Sequence, residues 1–323
     1  EDLREINSGG YLIYDSSWKR DFKRTDINII EIPLTKLCVE EFTNPKTRLL
    51  FKNIVYVGAL SYLLGMDKEI YETLIAEQFK GKDKLIAPNI KALNIGYDYA
   101  SGNLKGSCEI KVNKSEKTKG MILTSGNNAS GLGCVYGGAT VCSWYPITPS
   151  TSLAEAFTDY SEKLRIEENT NKNKYAIIQA EDELAAVGMA IGANWNGARA
   201  FTATSGPGIS LMSEFLGLAY FAEVPLVVFD IQRGGPSTGM PTRTQQSDVL
   251  SCAYASHGDT KHVLLIPSNP KECFEFAAEA FDLADRIQTP VIVLSDLDLG
   301  MNDWSCPEFE WDDSKTYDKG KVL

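Results

Sequence analysis

Four short segments carry the residue types that could do chemistry. They are Tyr145-Pro146-Ile147-Thr148-Pro149-Ser150, Glu181, Ser205-Gly206-Pro207-Gly208 and Arg233-Gly234-Gly235-Pro236-Ser237-Thr238-Gly239. Proline suits the first position of a helix, where its missing N–H would be unpaired anyway, so Pro149 makes Thr148 the expected N-cap. Such a terminus favours a carboxylate, through the Thr148 hydroxyl and the first-turn N–H groups. A simple cap accounts for the same two residues without a ligand. Glu181 follows the apolar run 176–180 and precedes the small residues Ala185, Ala186, Gly188, Ala190 and Gly192, which admit another backbone closely. A carboxylate there can hydrogen-bond a nitrogen heterocycle and exchange a proton with it. It can equally share a solvated first turn with Asp182 and Glu183, where the helix dipole favours acids.

The Ser205–Gly208 run is a generic strand-to-helix turn. Arg233 is more specific, because a guanidinium fork on a loop that cannot collapse is a common answer to an anionic substrate. The plainer alternative is an incidental arginine on a surface loop. Thr242 and Thr244 follow on the same segment, and either hydroxyl can add a donor. His257 and His262 are the only histidines, and no serine, cysteine or aspartate pattern accompanies them as a triad would need. His262 reads as structural within a strand, while His257 stays open in a loop. There is no Walker A sequence and no GxGxxG opening a helix, so ordinary nucleotide binding has no support.

These segments fall where a parallel α/β sheet would place them. Candidate strands at 140–144, 175–180, 199–204, 225–232, 261–267 and 290–295 alternate with candidate helices at 149–165, 182–193, 209–221 and 270–287. Short apolar strands alternating with amphipathic helices predict a doubly wound parallel sheet covered on both faces. Ligands bind beyond the carboxyl ends of such strands, and four consecutive strand ends carry the polar or glycine-rich loops. Residues 1–100 read as part of a second α/β domain. It has strands at 10–14 and 27–32 and helices at 53–64, 67–79 and 85–97, with Asn53 and Asp67 as expected N-caps. Residues 101–119, rich in Lys, Ser, Gly and Asn, read as a linker. The main domain is expected over 120–300, and 301–323 reads as the start of a connection to a further domain. The first block begins mid-pattern and the last stretch stops without a closing element, so both ends read as cut.

A net charge of −11 argues against a nucleic-acid groove, which needs clustered Lys and Arg. An acidic surface would also repel an acidic electron carrier. No run reaches the roughly eighteen apolar residues needed to span a bilayer, and 54–66 reads as a buried helix. The seven dispersed cysteines include no CxxC pair, which suits reduced thiols in a cytoplasm rather than a metal or iron–sulfur ligand set.

The order and spacing of the segments resemble the alpha subunits of 2-oxoacid:ferredoxin oxidoreductases. The resemblance is carried by Gly126-Asn127 with Ala129, by the run 145–151, by Gln179-Ala180-Glu181-Asp182-Glu183 and by the run 202–208. Its most specific stretch is Gln232-Arg233-Gly234-Gly235-Pro236-Ser237-Thr238-Gly239-Met240-Pro241-Thr242. The run 9–17 resembles the end of the family's gamma domain. That arrangement looks like a gamma–alpha fusion of the 2-oxoglutarate type.

The resemblance implies a thiamine-diphosphate pyrimidine-binding domain. Glu181 would contact the aminopyrimidine ring and promote the tautomer that activates the cofactor. Tyr145, Pro146, Ser205 and Gly206 would line the cofactor, and Thr148, Arg233 and Thr242 would hold the 2-oxoacid carboxylate. The reaction implied is oxidative decarboxylation of 2-oxoglutarate to an acyl-CoA, reversible in principle. Coenzyme A is the co-substrate and ferredoxin the electron acceptor.

The family's diphosphate-and-magnesium motif is missing, since His257-Gly258-Asp259-Thr260 does not match it, and so are cluster cysteines. In the family both Mg2+ and the [4Fe-4S] cluster belong to a beta subunit, so a heterodimer or a dimer of heterodimers is expected, and the chain alone should be inert. A pyruvate, branched-chain or broad-range 2-oxoacid enzyme is the nearest alternative. A non-catalytic assembly module is the alternative of another class, but docking would need none of Glu181, Thr148 and Arg233.

Overall fold

The computed structural model describes residues 2–317 and 320. They form two compact units, 1–116 and 117–323. The first contains α1 (Asp2–Glu5), β1 (Tyr11–Asp15), β2 (Asn28–Ile32), α2 (Leu34–Glu41), α3 (Pro45–Leu64), α4 (Lys68–Gln78) and α5 (Asp83–Asn103). Strands β1 and β2 pair in parallel. Asn44 caps α3 by accepting from the Lys46 N–H, Pro45 takes the proline-tolerant start, and Gly65 ends the helix at φ +70°. Asn53 is therefore an interior helical residue and not the expected cap. The Asn44-Pro45 signal outweighs the apolar periodicity, which begins later because Leu49 and Leu50 are exposed. Asp67 caps α4 as expected, accepting from Glu69 N–H. Helix α5 runs two turns beyond its expected end and takes up the first residues of the expected linker.

Helices α3 and α5 cross backbone to backbone. A Cβ on Gly58 would lie 2.0 Å from the Leu93 carbonyl oxygen, and one on Gly96 would lie 1.8 Å from that of Val55. Around this crossing Val55, Ala59, Leu63, Ala92 and Ala100 pack with Ile30 and Ile32 of β2.

The second unit contains β3 (Met121–Thr124), α6 (Gly126–Tyr136), β4 (Val141–Trp144), α7 (Thr151–Leu164), β5 (Ala176–Gln179), α8 (Glu183–Trp195), β6 (Ala200–Thr204) and α9 (Gly206–Phe221). It continues with β7 (Leu226–Gln232), α10 (Val249–Ala253), β8 (Val263–Leu265), α11 (Pro270–Ile287), β9 (Pro290–Asp296), α12 (Leu297–Met301) and β10 (Trp304–Pro307). Six strands form one sheet in the order β5-β4-β6-β7-β9-β8, every pair parallel. These are the six strands expected from sequence. Strands β3 and β10, an antiparallel pair apart from the sheet, were not.

Both faces of the sheet are covered, and strand alternation decides which residue faces which helix. Val227, Phe229 and Ile231 pack with Cys134 of α6, Phe157 of α7 and Phe281 of α11. Leu226 and Val228 pack on the opposite face with Val187 of α8 and with Met212 and Leu216 of α9. The doubly wound parallel sheet is thus as expected. Beyond β10 the chain lies back on its own unit, where Phe309 stacks on Phe274 at 4.8 Å and Trp311 meets Tyr136 edge-on at 5.1 Å. Residues 318, 319 and 321–323 of the expected connection lie outside the described residues. No helix among the described residues is long and apolar enough to cross a membrane.

Candidate functional site

The chain passes from β4 outward to the edge strand β5 and returns to place β6 on the other side of β4. The crevice at that reversal, beyond the carboxyl ends of β4 and β6, is where a parallel sheet accepts a ligand. Tyr145 through Ser150 leave β4 there, Ser205 and Gly206 leave β6, and Arg233 leaves β7 next door.

Arg233 is 7% exposed, which rules out an incidental surface arginine. Its Nη1 donates to the Thr148 carbonyl at 2.6 Å and its Nη2 to the Thr238 carbonyl at 2.8 Å. The guanidinium therefore ties the β4–α7 loop to the 234–243 loop. Its Nε is buried without a partner, and burial lowers the pKa of the group below that of a free arginine. A buried guanidinium with an unpartnered donor is costly in stability unless an acceptor satisfies it. The 234–243 loop closes on itself, with Gly234 N–H on Arg243 O at 2.7 Å and Met240 N–H on Gly234 O at 2.8 Å. Gly239 makes this possible, because it sits at φ +55° and a Cβ on it would fall 1.8 Å from the Gly234 oxygen.

Thr148 is not the N-cap of α7. Ser150 and Thr151 both donate their N–H to the Ile147 carbonyl, at 2.9 and 3.1 Å, so a turn consumes Thr148 and Pro149 before the helix starts. Ser150 holds the cap position without capping the helix, its Oγ donating back to the Ile147 carbonyl at 3.1 Å, and Thr148–Pro149 is a cis peptide. Thr148 is exposed at the crevice, and its carbonyl is the atom that Arg233 holds.

Glu181 is exposed at the carboxyl end of β5, and its carboxylate is uncommitted among the described residues. Asp182 caps α8 by accepting from Ala185 N–H at 2.7 Å. The expected solvated acidic turn is only half present, since Glu183 is 9% exposed. The small residues of α8 do not all serve close packing. Ala186 and Ala190 are buried, whereas a Cβ on Gly192 would meet nothing. Ser205 is fully buried with an unpartnered Oγ, Tyr145 is half-buried, and Pro146 and Thr242 are exposed.

A cavity of about 670 Å³ joins Gly206 at the start of α9 to Arg233 and the loop 234–238, with Gln245 and Asp248 completing its wall. Of the residues singled out from sequence it brings together Gly206 and Arg233. Thr148 reaches them through the Arg233 bond. Glu181, Tyr145, Pro146, Ser205 and Thr242 are not among its lining residues.

Asp230 and Asp248 were missed from sequence. Asp230 is fully buried in β7, accepting from Cys252 Sγ at 3.3 Å while its Oδ1 has no partner. Burial, and then the charge of Asp248, push its pKa well above the carboxylate range. Asp248 is raised too, by burial. Its N–H is held by Gln232 Oε1 at 3.0 Å, and a Cβ on Gly206 would lie 2.6 Å from its Oδ2. One signal was available: a charge inside the apolar run 226–231. His262 is buried with its ring on the Ala255 carbonyl at 3.0 Å, which suits a structural role, but it lies just before β8 and not within the strand as expected. His257 makes an exposed contact with Glu214. All seven cysteines are buried and unpaired, and no group of three or more His, Cys, Asp or Glu among the described residues could hold a metal ion.

A doubly wound parallel sheet with a buried arginine and an exposed carboxylate beyond its strand ends defines a ligand-binding α/β domain. The chain belongs to the pyruvate flavodoxin/ferredoxin oxidoreductase family: the model described as pyruvate flavodoxin/ferredoxin oxidoreductase, thiamine diP-bdg, matches residues 132–319, and a pyruvate ferredoxin/flavodoxin oxidoreductase model matches residues 1–99. It is 38% identical to 2-oxoacid:ferredoxin oxidoreductase 2, subunit alpha, of Aeropyrum pernix over 278 residues, 84% of this chain and 43% of that one. It is also 38% identical to the 2-oxoglutarate oxidoreductase subunit KorA of Mycobacterium tuberculosis over 265 residues, 80% of this chain and 39% of that one. The structure of 2-oxoglutarate:ferredoxin oxidoreductase from Magnetococcus marinus, with 2-oxoglutarate, coenzyme A and succinyl-CoA bound, is similar at 33% identity and a TM-score of 0.80, covering 98% of this chain and 55% of that one. The chain thus spans less than half the length of the Aeropyrum pernix and Mycobacterium tuberculosis relatives.

Proposed function

We propose that this chain is the pyrimidine-gripping part of the alpha subunit of a 2-oxoacid:ferredoxin oxidoreductase acting on 2-oxoglutarate. The observation that carries the reading is the buried Arg233 bridging the Thr148 and Thr238 carbonyls, with Nε unused, at the reversal of the sheet. It sets a cation beside an exposed threonine where an oxoacid carboxylate would need both. The names of the relatives, and the 2-oxoglutarate and coenzyme A in the similar structure, support the substrate and co-substrate.

The residues present fit the ring end of thiamine diphosphate. Glu181 is an uncommitted carboxylate at a strand end, and the Ser205 Oγ is a buried polar group that the chain itself leaves without a partner. When bound, the cofactor supplies the carbon nucleophile for the keto group. Glu181 holds a pyrimidine ring nitrogen and shares its proton. Tyr145, Pro146 and Gly206 shape the rest of that contact, while Thr148, Arg233 and Thr242 orient the carboxylate. Mg2+, the diphosphate anchor, the [4Fe-4S] cluster and ferredoxin docking are assigned to a partner beta subunit, in a heterodimer or dimer of heterodimers working in the cytoplasm. The naming of relatives as alpha subunits supports that division.

The test is 2-oxoacid-dependent reduction of a viologen dye by the full alpha chain co-expressed with its beta partner. Glu181→Ala should lower kcat by roughly a thousandfold. An unchanged rate would remove Glu181 from the mechanism. A panel of 2-oxoglutarate, pyruvate and branched-chain oxoacids reads the substrate directly, and a preference for pyruvate would overturn the 2-oxoglutarate assignment.

A further inference from the structure

Side chains from two different elements hold successive carbonyls of the β4–α7 loop. Arg233 takes the Thr148 oxygen, and Asn127 takes the next one. Asn127 Nδ2 donates to the Pro149 carbonyl at 2.9 Å and to Ser152 Oγ at 2.8 Å. The side chain is 1% exposed, and its Oδ1 has no hydrogen-bond partner. A buried acceptor without a partner costs stability, which the two bonds from Nδ2 must offset. Helix α6 does not need the amide, because Ser125 Oγ caps that helix by accepting from Asn128 N–H at 3.2 Å. The amide is braced from behind, where Gly300 leaves the room: a Cβ there would meet Asn127 Oδ1 at 2.8 Å.

We propose that Asn127 is a positioning residue for Thr148, pinning the loop through the Pro149 carbonyl so that the Thr148 hydroxyl meets the substrate carboxylate. This rests on the carboxylate role proposed above for Thr148. The bonds that the 147–151 turn makes to the Ile147 carbonyl fix its internal shape, and Arg233 ties that turn to β7 at one carbonyl only. Asn127 adds a second tie from another element, one residue on. A hydroxyl must be held to within about half an ångström to contribute to a clamp.

A double-mutant cycle on the full alpha–beta complex tests this. Asn127→Leu has a similar shape but no donor, and it should raise the KM for 2-oxoglutarate about tenfold while leaving kcat within about twofold. Thr148→Val should raise KM at least as much. The double variant should be no worse than Thr148→Val alone, because the anchor acts only through that hydroxyl. A residue that merely supports the fold would instead lower the active fraction, and its effect would multiply with that of Thr148→Val. Multiplying effects, or an unchanged KM for Asn127→Leu beside a raised KM for Thr148→Val, overturn the proposal and leave the carboxylate clamp standing. An unchanged KM for Thr148→Val removes the clamp and this proposal with it. If Asn127→Leu fails to accumulate, Asn127→Asp, which keeps the shape and exchanges the donor for an acceptor, carries the same comparison.

Discussion

Arg233 and Thr148, 85 positions apart in sequence, are joined by a 2.6 Å hydrogen bond from Nη1 to the Thr148 carbonyl. With the 2.8 Å bond to Thr238 it makes the guanidinium a two-ended strut, not a free cation. Lysine carries the charge but cannot reach both carbonyls from one planar fork. Arg233→Lys should therefore raise the KM for the 2-oxoacid by about tenfold, and Arg233→Ala by about a hundredfold or more. Steady-state kinetics of the reconstituted complex checks both. Equal KM values for the wild type and the lysine variant would show that charge alone is used.

The six parallel strands were legible because each is a short apolar run with a helical pattern between it and the next. Helix α6 was not, since Gly126, Gly131 and Gly133 within it break any propensity signal. Those glycines earn their place only in three dimensions: a Cβ on Gly133 would lie 2.3 Å from the Phe274 carbonyl of α11. The start of α7 failed for a related reason, because Thr148-Pro149 fits a helix start and a preceding turn equally well in one dimension. At the site, residue types could be read but commitments could not. Sequence suggests that Arg233 seeks an anion, but not that two carbonyls already occupy its Nη groups. Asp230 left a signal as a charge inside an apolar run, but its approach to Asp248 depends on packing around β7 that only the folded sheet reveals.

The α3–α5 crossing predicts a sharp contrast between two glycines. A Cβ on Gly58 would overlap the Leu93 carbonyl at 2.0 Å, so the helices must separate. Gly102, near the end of α5, has nothing within 4 Å. Gly58→Ala should cost about 3 kcal/mol through overpacking, whereas Gly102→Ala should gain up to about 1 kcal/mol through helix propensity. Denaturant melts of the two variants decide it. Similar midpoints for both would mean that the helices do not pack this closely.

Asp230 makes stability depend on pH in a definite direction. Its folded pKa is raised by burial and by Asp248, so the folded chain keeps a proton that the unfolded chain releases above about pH 4. The stability tied to that proton is complete below the unfolded pKa and is lost as pH rises through the raised folded value. Asp230→Asn stays neutral throughout and keeps the shape. Its urea midpoint should therefore gain on the wild type as pH rises from about 4 toward 8. A constant difference between the two across that range would mean that Asp230 does not hold its proton in the fold.

The seven cysteines are the last group whose behaviour follows from burial. A thiol reacts only as an accessible thiolate, and all seven are buried. Burial pushes Cys273 up to about 12 and also raises Cys134, Cys142 and Cys252 above the ordinary thiol range. At pH 8 an aromatic disulfide reagent should therefore find almost no fast-reacting thiol in the native chain and seven after denaturation. Cys252 should be among the slowest, because burial keeps its thiol protonated and its Sγ donates to Asp230, next to the Asp248 carboxyl. Asp230→Asn removes one of those carboxyls but not the burial, so it should leave Cys252 slow. If instead one thiol per native chain reacted within seconds and Cys252→Ser abolished it, the floor beneath β7 would have to be open to solvent.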